Sequence, residues 1–89
     1  MLKPDYTNRF KKDLKIIQKR NYNVDLLKEV IKKLCNQEIL DEKYRDHSLS
    51  GNMKSFRECH ILPDWLLIYQ IVNGIIVFDR TGTHSDLFE

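Results

Sequence analysis

Residues 56–80 read FRECHILPDWLLIYQIVNGIIVFDR, and they contain the clearest structural pattern in the chain. Three runs of apolar and β-branched residues are separated by two short breaks, Pro63-Asp64 and Asn73-Gly74. An Asn-Gly pair between two such runs is the strongest local signal for a β-hairpin, because both residues tolerate the positive φ of a tight turn. The stretch therefore predicts three consecutive antiparallel strands.

Two amphipathic helices are predicted before these strands. Thr7 is a suitable N-cap for the first, in which apolar residues recur every three or four positions. Its apolar face consists of Tyr6, Phe10, Leu14 and Ile17. The second helix is predicted from about Asp25 to Gln37, with an apolar stripe of Leu26, Leu27, Val30, Ile31, Leu34 and Cys35.

The remaining segments complete the predicted fold. Residues 40–55 are polar and predict a loop, and Met1–Lys3 predicts a short strand that Pro4 ends or confines to a sheet edge. The order β-α-α-β-β-β predicts one α+β domain over residues 1–89, with a mostly antiparallel sheet and both helices packed on one face. We expect functional residues on the other, open face.

Composition narrows the choice of partners. The 89 residues are 42% hydrophobic, and no apolar run reaches the roughly 18 residues that a membrane span needs. The N-terminus has no apolar signal-peptide core, so we expect a cytoplasmic protein with two buried, reduced thiols, Cys35 and Cys59. Residues 1–45 carry 12 Lys/Arg against 7 Asp/Glu, a net +5, which suits an anionic partner such as nucleic acid or an acidic protein.

Several polar residues are predicted on the open face. Strand alternation places Glu58 and His60 on the side opposite Cys59 and Ile61, which resemble core positions. His47, Arg80 and His84 could converge on the same surface. The three histidines are 13 and 24 residues apart, which matches no common zinc signature, so no metal is expected. Exposed polar residues without any chemical role remain the simplest alternative.

Three segments resemble one toxin family. DHSLSG (46–51), FRECHILPDWLLIY (56–69) and RTGTHSDLF (80–88) are similar to the YafQ group within the RelE superfamily of bacterial toxins. The resemblance implies a RelE-like fold and an endoribonuclease from a type II toxin–antitoxin pair. Such an enzyme cuts mRNA in the ribosomal A site, and its partners are the ribosome and a cognate antitoxin. No cofactor is implied.

The resemblance also assigns roles to residues. Catalytic positions fall on His47, Glu58, His60, Asp64, Arg80 and His84, and substrate contacts on Trp65 and Phe88, to which we add Arg57. For Trp65 and Phe88 the alternative is packing in the core. Metal-independent cleavage, in which the 2′-OH of the RNA attacks its own phosphate, needs a base, an acid and positive charge. Docking on ribosomal RNA is expected from Lys11, Lys12, Lys15 and Lys19.

The C-terminal tail is expected to complete this site. Gly82 would permit a bend that brings His84 back over the sheet as the proton donor to the leaving 5′-oxygen. Asp86 or Ser85 would cap a short helical turn, and Phe88 would stack on a base or hold His84 in place. Two alternatives keep the fold but not this chemistry: a gyrase-inhibitor-like toxin that acts by binding, and a non-catalytic RNA- or protein-binding module.

Overall fold

The computed structural model describes residues 1–53 and 55–88, so Lys54, in the predicted polar loop, and Glu89 lie outside the described residues. Its strands are β1 (Lys3–Tyr6), β2 (His47–Ser48), β3 (Arg57–Leu62), β4 (Trp65–Val72) and β5 (Ile75–Gly82). Its α-helices are α1 (Asn8–Lys19), α2 (Val24–Cys35) and α3 (His84–Phe88), and two 3₁₀ turns cover Glu42–Tyr44 and Gly51–Met53.

All the strands form one sheet in the order β1-β5-β4-β3-β2. Only β1 runs parallel to its neighbour β5, and the other pairs are antiparallel. The β4–β5 hairpin turns at Asn73 and Gly74, whose φ angles are 50° and 79°. The predicted RelE-like α+β fold is therefore confirmed, together with its hairpin.

Both long helices begin as their capping residues require. Thr7 Oγ1 accepts the Phe10 N–H at 3.0 Å, so the predicted N-cap of α1 is confirmed. Helix α2 begins at Val24, just before the predicted start, because Asn23 Oδ1 caps it by accepting the Asp25 N–H at 3.1 Å. It ends at Cys35 and not at Gln37, which has a φ of 59° and cannot continue a helix.

The two long helices cover one face of the sheet, as predicted. Alternate strand residues on that face join buried helix residues in one apolar core. The core includes Phe10, Ile17, Leu27, Val30, Leu34, Cys59, Ile61, Leu67, Tyr69, Ile76 and Phe78, with Leu14 and Ile31 partly buried against it. Cys35 and Cys59 are free and buried, and burial raises the pKa of both thiols. No α-helix in residues 1–53 and 55–88 has the length and apolar character needed to cross a membrane.

Two predictions about the connecting segments were wrong. Strand β1 spans Lys3–Tyr6 and not Met1–Lys3, and it includes Pro4, which an edge strand tolerates because its missing N–H need not bond to a neighbour. Residues 40–55 are more than a polar loop, since Tyr44 is buried and β2 pairs with β3. A strand of only two residues has no periodicity that a sequence could reveal.

Candidate active site

Strand register aligns four positions in a row across the face opposite the helices. His47 of β2 lies opposite Glu58 of β3, which lies opposite Ile68 of β4. Ile68 in turn lies opposite Arg80 of β5. Neighbouring strands are about 4.8 Å apart, so Glu58 and Arg80 are separated by about 10 Å at the backbone.

A second row lies two residues further along the same face. His60 is opposite Leu66, and Leu66 is opposite Gly82, immediately before the C-terminal tail. Leu66 and Ile68 are almost fully buried although they point away from the helices. The face that we expected to be open therefore has an apolar floor, with polar groups around it.

Two histidines share one carboxylate oxygen. The Nε2 atoms of His47 and His60 both lie 3.5 Å from Glu58 Oε1. In each ring, Nδ1 also lies within hydrogen-bonding distance of a backbone carbonyl oxygen. His47 Nδ1 is 2.6 Å from the oxygen of Arg45, and His60 Nδ1 is 3.2 Å from that of Pro63. Because a carbonyl only accepts, Nδ1–H is the donor in both rings and Nε2 is left facing Glu58. Glu58 is only 8% exposed, so this carboxylate is largely shielded from water.

Arg80 is not a free cation. Its Nε and Nη2 donate to the two carboxylate oxygens of Asp13 on α1, at 2.7 and 3.0 Å. Asp13 also accepts the backbone N–H of Thr81 at 3.2 Å. This N–H lies on the edge of β5 beyond the end of its pairing with β1, so Asp13 replaces the missing strand as its hydrogen-bond acceptor. The Asp13 carboxylate raises the pKa of Arg80. Among the described residues, Nη1 makes no hydrogen bond.

The tail is ordered by hydrogen bonds on two sides. Asp64, in the turn between β3 and β4, accepts the backbone N–H of His84 at 3.0 Å. Asp86 accepts the Thr83 N–H at 2.9 Å, and Thr83 Oγ1 accepts the Asp86 N–H at 3.1 Å, which together form a capping box. Of the two expected caps, the structure uses Asp86 and not Ser85. The rings of His84 and Phe88 pack with their centroids 5.0 Å apart.

Known proteins resemble this chain along nearly its whole length. The profile of the family described as "Bacterial toxin of type II toxin-antitoxin system, YafQ" matches residues 2–89. The chain belongs to the YafQ toxin family. It is 40% identical over 85 residues to the mRNA interferase toxin YafQ of Escherichia coli K12, covering 94% of this chain and 92% of that protein.

Solved structures agree with the YafQ assignment. The E. coli DinJ-YafQ complex contains a chain that is 38% identical, with a TM-score of 0.92 and full coverage of both chains. The metal-bound toxin from Helicobacter pylori is 43% identical, with a TM-score of 0.93, over 99% of this chain and 100% of that one. In this YafQ chain, the described residues include no group of three or more His, Cys, Asp or Glu side chains arranged to hold a metal ion.

Two expected substrate contacts do not agree with the structure. Trp65 is 1% exposed, its Nε1–H donates to Thr81 Oγ1 at 2.9 Å, and its ring packs against Tyr22, so it cannot stack on a base. Arg57 points to the helix side and donates to Asp46 at 3.2 Å. That pair raises the pKa of Arg57, and strand alternation places Arg57 on the face opposite Glu58 and His60.

Of the other expected residues, Glu58 is buried and the rest are accessible. His47, Asp64, His84 and Phe88 are exposed, and His60 and Arg80 are half-buried. The docking lysines Lys11, Lys12, Lys15 and Lys19 are all exposed on α1. Sequence reasoning missed Asp13, although a signal existed: it falls between Phe10 and Ile17 at helical spacing, on the buried stripe of α1, where a charged residue needs a partner.

A second cluster of hydrogen-bonded side chains, Asp46, Arg57 and Tyr69, lies next to His47 and was not indicated by the sequence. The Tyr69 hydroxyl donates to Asp46 Oδ1 at 2.5 Å, and Arg57 donates to the other oxygen of the same carboxylate. Burial, and then the bond to Asp46, raises the pKa of Tyr69. Asp46 directly precedes His47, so this group fixes the backbone that presents the histidine.

Proposed function

We propose that this chain is the toxin of a type II toxin–antitoxin pair and an endoribonuclease that cuts mRNA on the ribosome without a metal ion. Membership of the YafQ family supports the toxin role, and its E. coli relative is named an mRNA interferase. The observation that carries the catalytic part is the position of His47 and His60 Nε2, each 3.5 Å from one Glu58 oxygen.

The proposed reaction is attack of the 2′-OH on the adjacent phosphate. The group of His47, Glu58 and His60 takes the 2′-OH proton, because its members can pass a proton among themselves at short range. His84 gives a proton to the 5′-oxygen as the P–O bond breaks. The products are a 2′,3′-cyclic phosphate and a free 5′-OH.

Charge on the phosphate is met by Arg80. Its Nη1 faces no other partner among the described residues, and Asp13 holds the rest of the guanidinium in place. A fixed donor of this kind needs no reorganisation as negative charge develops on the phosphate. We propose further that Phe88 stacks on a base, since its ring is 42% exposed, and that the exposed lysines of α1 contact ribosomal RNA.

A cognate antitoxin is the proposed protein partner. The E. coli DinJ-YafQ complex supports this partner, because its YafQ chain matches this chain over the full length of both. The basic first half of the chain suits an acidic segment of such a partner.

The test uses translating ribosomes programmed with a defined message. The pure protein should produce one cut in the A-site codon, with a cyclic phosphate and a 5′-OH, and a single 2′-deoxy nucleotide at the cut should abolish cleavage. His60→Ala should lower the rate about a hundredfold, the usual scale for losing an acid or base. Cleavage of the 2′-deoxy message would refute the mechanism. Inhibition of DNA gyrase without any cut message would instead favour the binding toxin.

A further inference from the structure

The tail is fastened to helix α1 by an ion pair outside the groups assigned to catalysis. Arg20, at the C-cap of α1, donates from Nη1 to Asp86 Oδ2 at 2.7 Å and from Nη2 to Oδ1 at 3.1 Å. Two parallel bonds from a planar guanidinium fix an orientation as well as a distance. The pair therefore determines the direction of α3, and not only its position.

Asp86 is placed where strand β5 becomes helix α3. The oxygen that binds Arg20 Nη1 also accepts the Thr83 N–H. A Cβ atom at position 82 would lie 3.0 Å from this oxygen and 3.1 Å from the Asp86 Cβ, closer than side chains normally pack, so a larger residue there would displace Asp86 by a few tenths of an ångström. His84 lies within this tight corner, and Asp64 holds its N–H from the other side.

Helix α3 cannot be ordered by its own residues. It has five residues, too few for a helix to be stable alone. Its apolar side chains contribute little, because Leu87 is half-buried and Phe88 is exposed. The ion pair itself is partly exposed, at 40% for Arg20 and 29% for Asp86, so it contributes little to global folding. Its loss should therefore change the position of the tail and leave the body folded.

We infer that Arg20 and Asp86 are positioning residues for cleavage, because their ion pair holds α3 in the orientation that presents His84 to the leaving oxygen. This rests on the proposed function, in which His84 is the proton donor. A displacement of a catalytic group by about 1 Å can slow a reaction about a hundredfold. Partial release of α3 should have a smaller effect, of about tenfold.

The first experiment separates positioning from binding and folding. Arg20→Ala and Asp86→Asn should each lower the single-turnover rate on saturating ribosomes about tenfold, with ribosome affinity and thermal midpoint nearly unchanged. Arg20→Lys should recover only part of the rate, because it restores the charge without the fork. The matched control is Glu29→Gln, which removes an exposed ion pair to Lys33 on α2 and should cleave normally.

A double-mutant cycle identifies the residue through which the pair acts. Adding Arg20→Ala to a His84→Ala protein should cause no further loss of rate, because the positioned group is already missing. A further tenfold loss would overturn the inference. So would a normal rate in the single Arg20→Ala protein when His84→Ala is impaired, and that result would leave the proposed function intact.

Amide exchange tests the same pair without cleavage. The His84 N–H, bound to Asp64, should exchange at least about threefold faster in Arg20→Ala than in wild type, as for a locally opened segment. If wild type cuts no message, the proposed function fails and so does the positioning role. The exchange rates then decide only whether the pair orders the tail, and equal rates would refute that as well.

Discussion

Replacing Asp13 with asparagine should lower the free energy of unfolding by about 2–4 kcal/mol. The carboxylate accepts two bonds from Arg80 and one from the N–H of Thr81, and the side chains of Asp13 and Arg80 are only 10% and 19% exposed. Removing one member of a buried ion pair costs about 3–5 kcal/mol. Asparagine keeps one acceptor oxygen and some water reaches Arg80, so the lower part of that range is expected.

Urea unfolding measures this loss directly. With a slope of about 1–2 kcal/mol/M for a domain of this size, a loss of about 3 kcal/mol moves the midpoint by roughly 1.5–3 M. Asp5→Asn, on the exposed edge strand β1, is the matched control and should stay within about 0.5 kcal/mol of wild type. Adding Arg80→Gln to Asp13→Asn should recover part of the loss, because no charge is then left buried and unpaired.

A midpoint of Asp13→Asn close to that of wild type would refute the reasoning. It would mean that Arg80 is solvated well enough to need no partner. The pair would then not hold the guanidinium for a phosphate either.

Four further outcomes are expected. Trp65→Phe should lower the free energy of unfolding by about 1–2 kcal/mol, through the lost bond to Thr81, and leave the saturated cleavage rate within about twofold of wild type. Leu34→Ala should cost about 2–5 kcal/mol in urea melts, because Leu34 is buried in the core. Ribosome affinity should fall steeply with salt, and the slope should be smaller after alanine replacement of the α1 lysines. Arg20 holds the pKa of Asp86 well below its usual range, so the NMR shift of the Asp86 carboxyl carbon should stay constant as pH falls from 8 to about 4, where an ordinary aspartate titrates; a titration of this carboxyl with a midpoint near pH 4 or above would contradict this.

Local patterns in the sequence were sufficient to predict the elements that have a regular apolar spacing or a characteristic turn. Asn73-Gly74 defined the hairpin, and the apolar spacing of α1 and α2 identified both helices and the face that each buries. These patterns arise because each element must bury one side, so its apolar residues recur at a fixed interval along the chain.

The position of Trp65 could also have been predicted from β4 alone. Alternation in WLLIYQIV places Trp65 with Leu67 and Tyr69, both of which lie in the core under the helices. The resemblance to a toxin family pointed to a substrate contact instead. The strand pattern was the better guide to where this ring lies.

The partners in the ion pairs could not be predicted, because the one local signal, the place of Asp13 on the buried stripe of α1, does not identify Arg80. Asp13 and Arg80 are 67 residues apart in sequence, and Arg20 and Asp86 are 66 apart. Arg20 and Asp86, each taken alone, are typical of a solvated helix face or a loop. Only the packing of α1 beside β5 brings the partners within hydrogen-bonding distance, so the geometry around Arg80 and His84 is a property of the tertiary structure.

Helix α1 therefore does more than cover the sheet. Asp13, Ile17 and Arg20 are spaced four and three residues apart, so they lie on one face of the helix, with Ile17 buried in the core between the two charges. The two charges are seven residues apart, which is about 10 Å along a helix that rises 1.5 Å per residue. One rigid element thus holds both Arg80 and the tail that carries His84. The helix therefore contributes to the separation between Arg80 and the proposed acid, together with the short connection between β5 and α3 and the bond from the His84 N–H to Asp64.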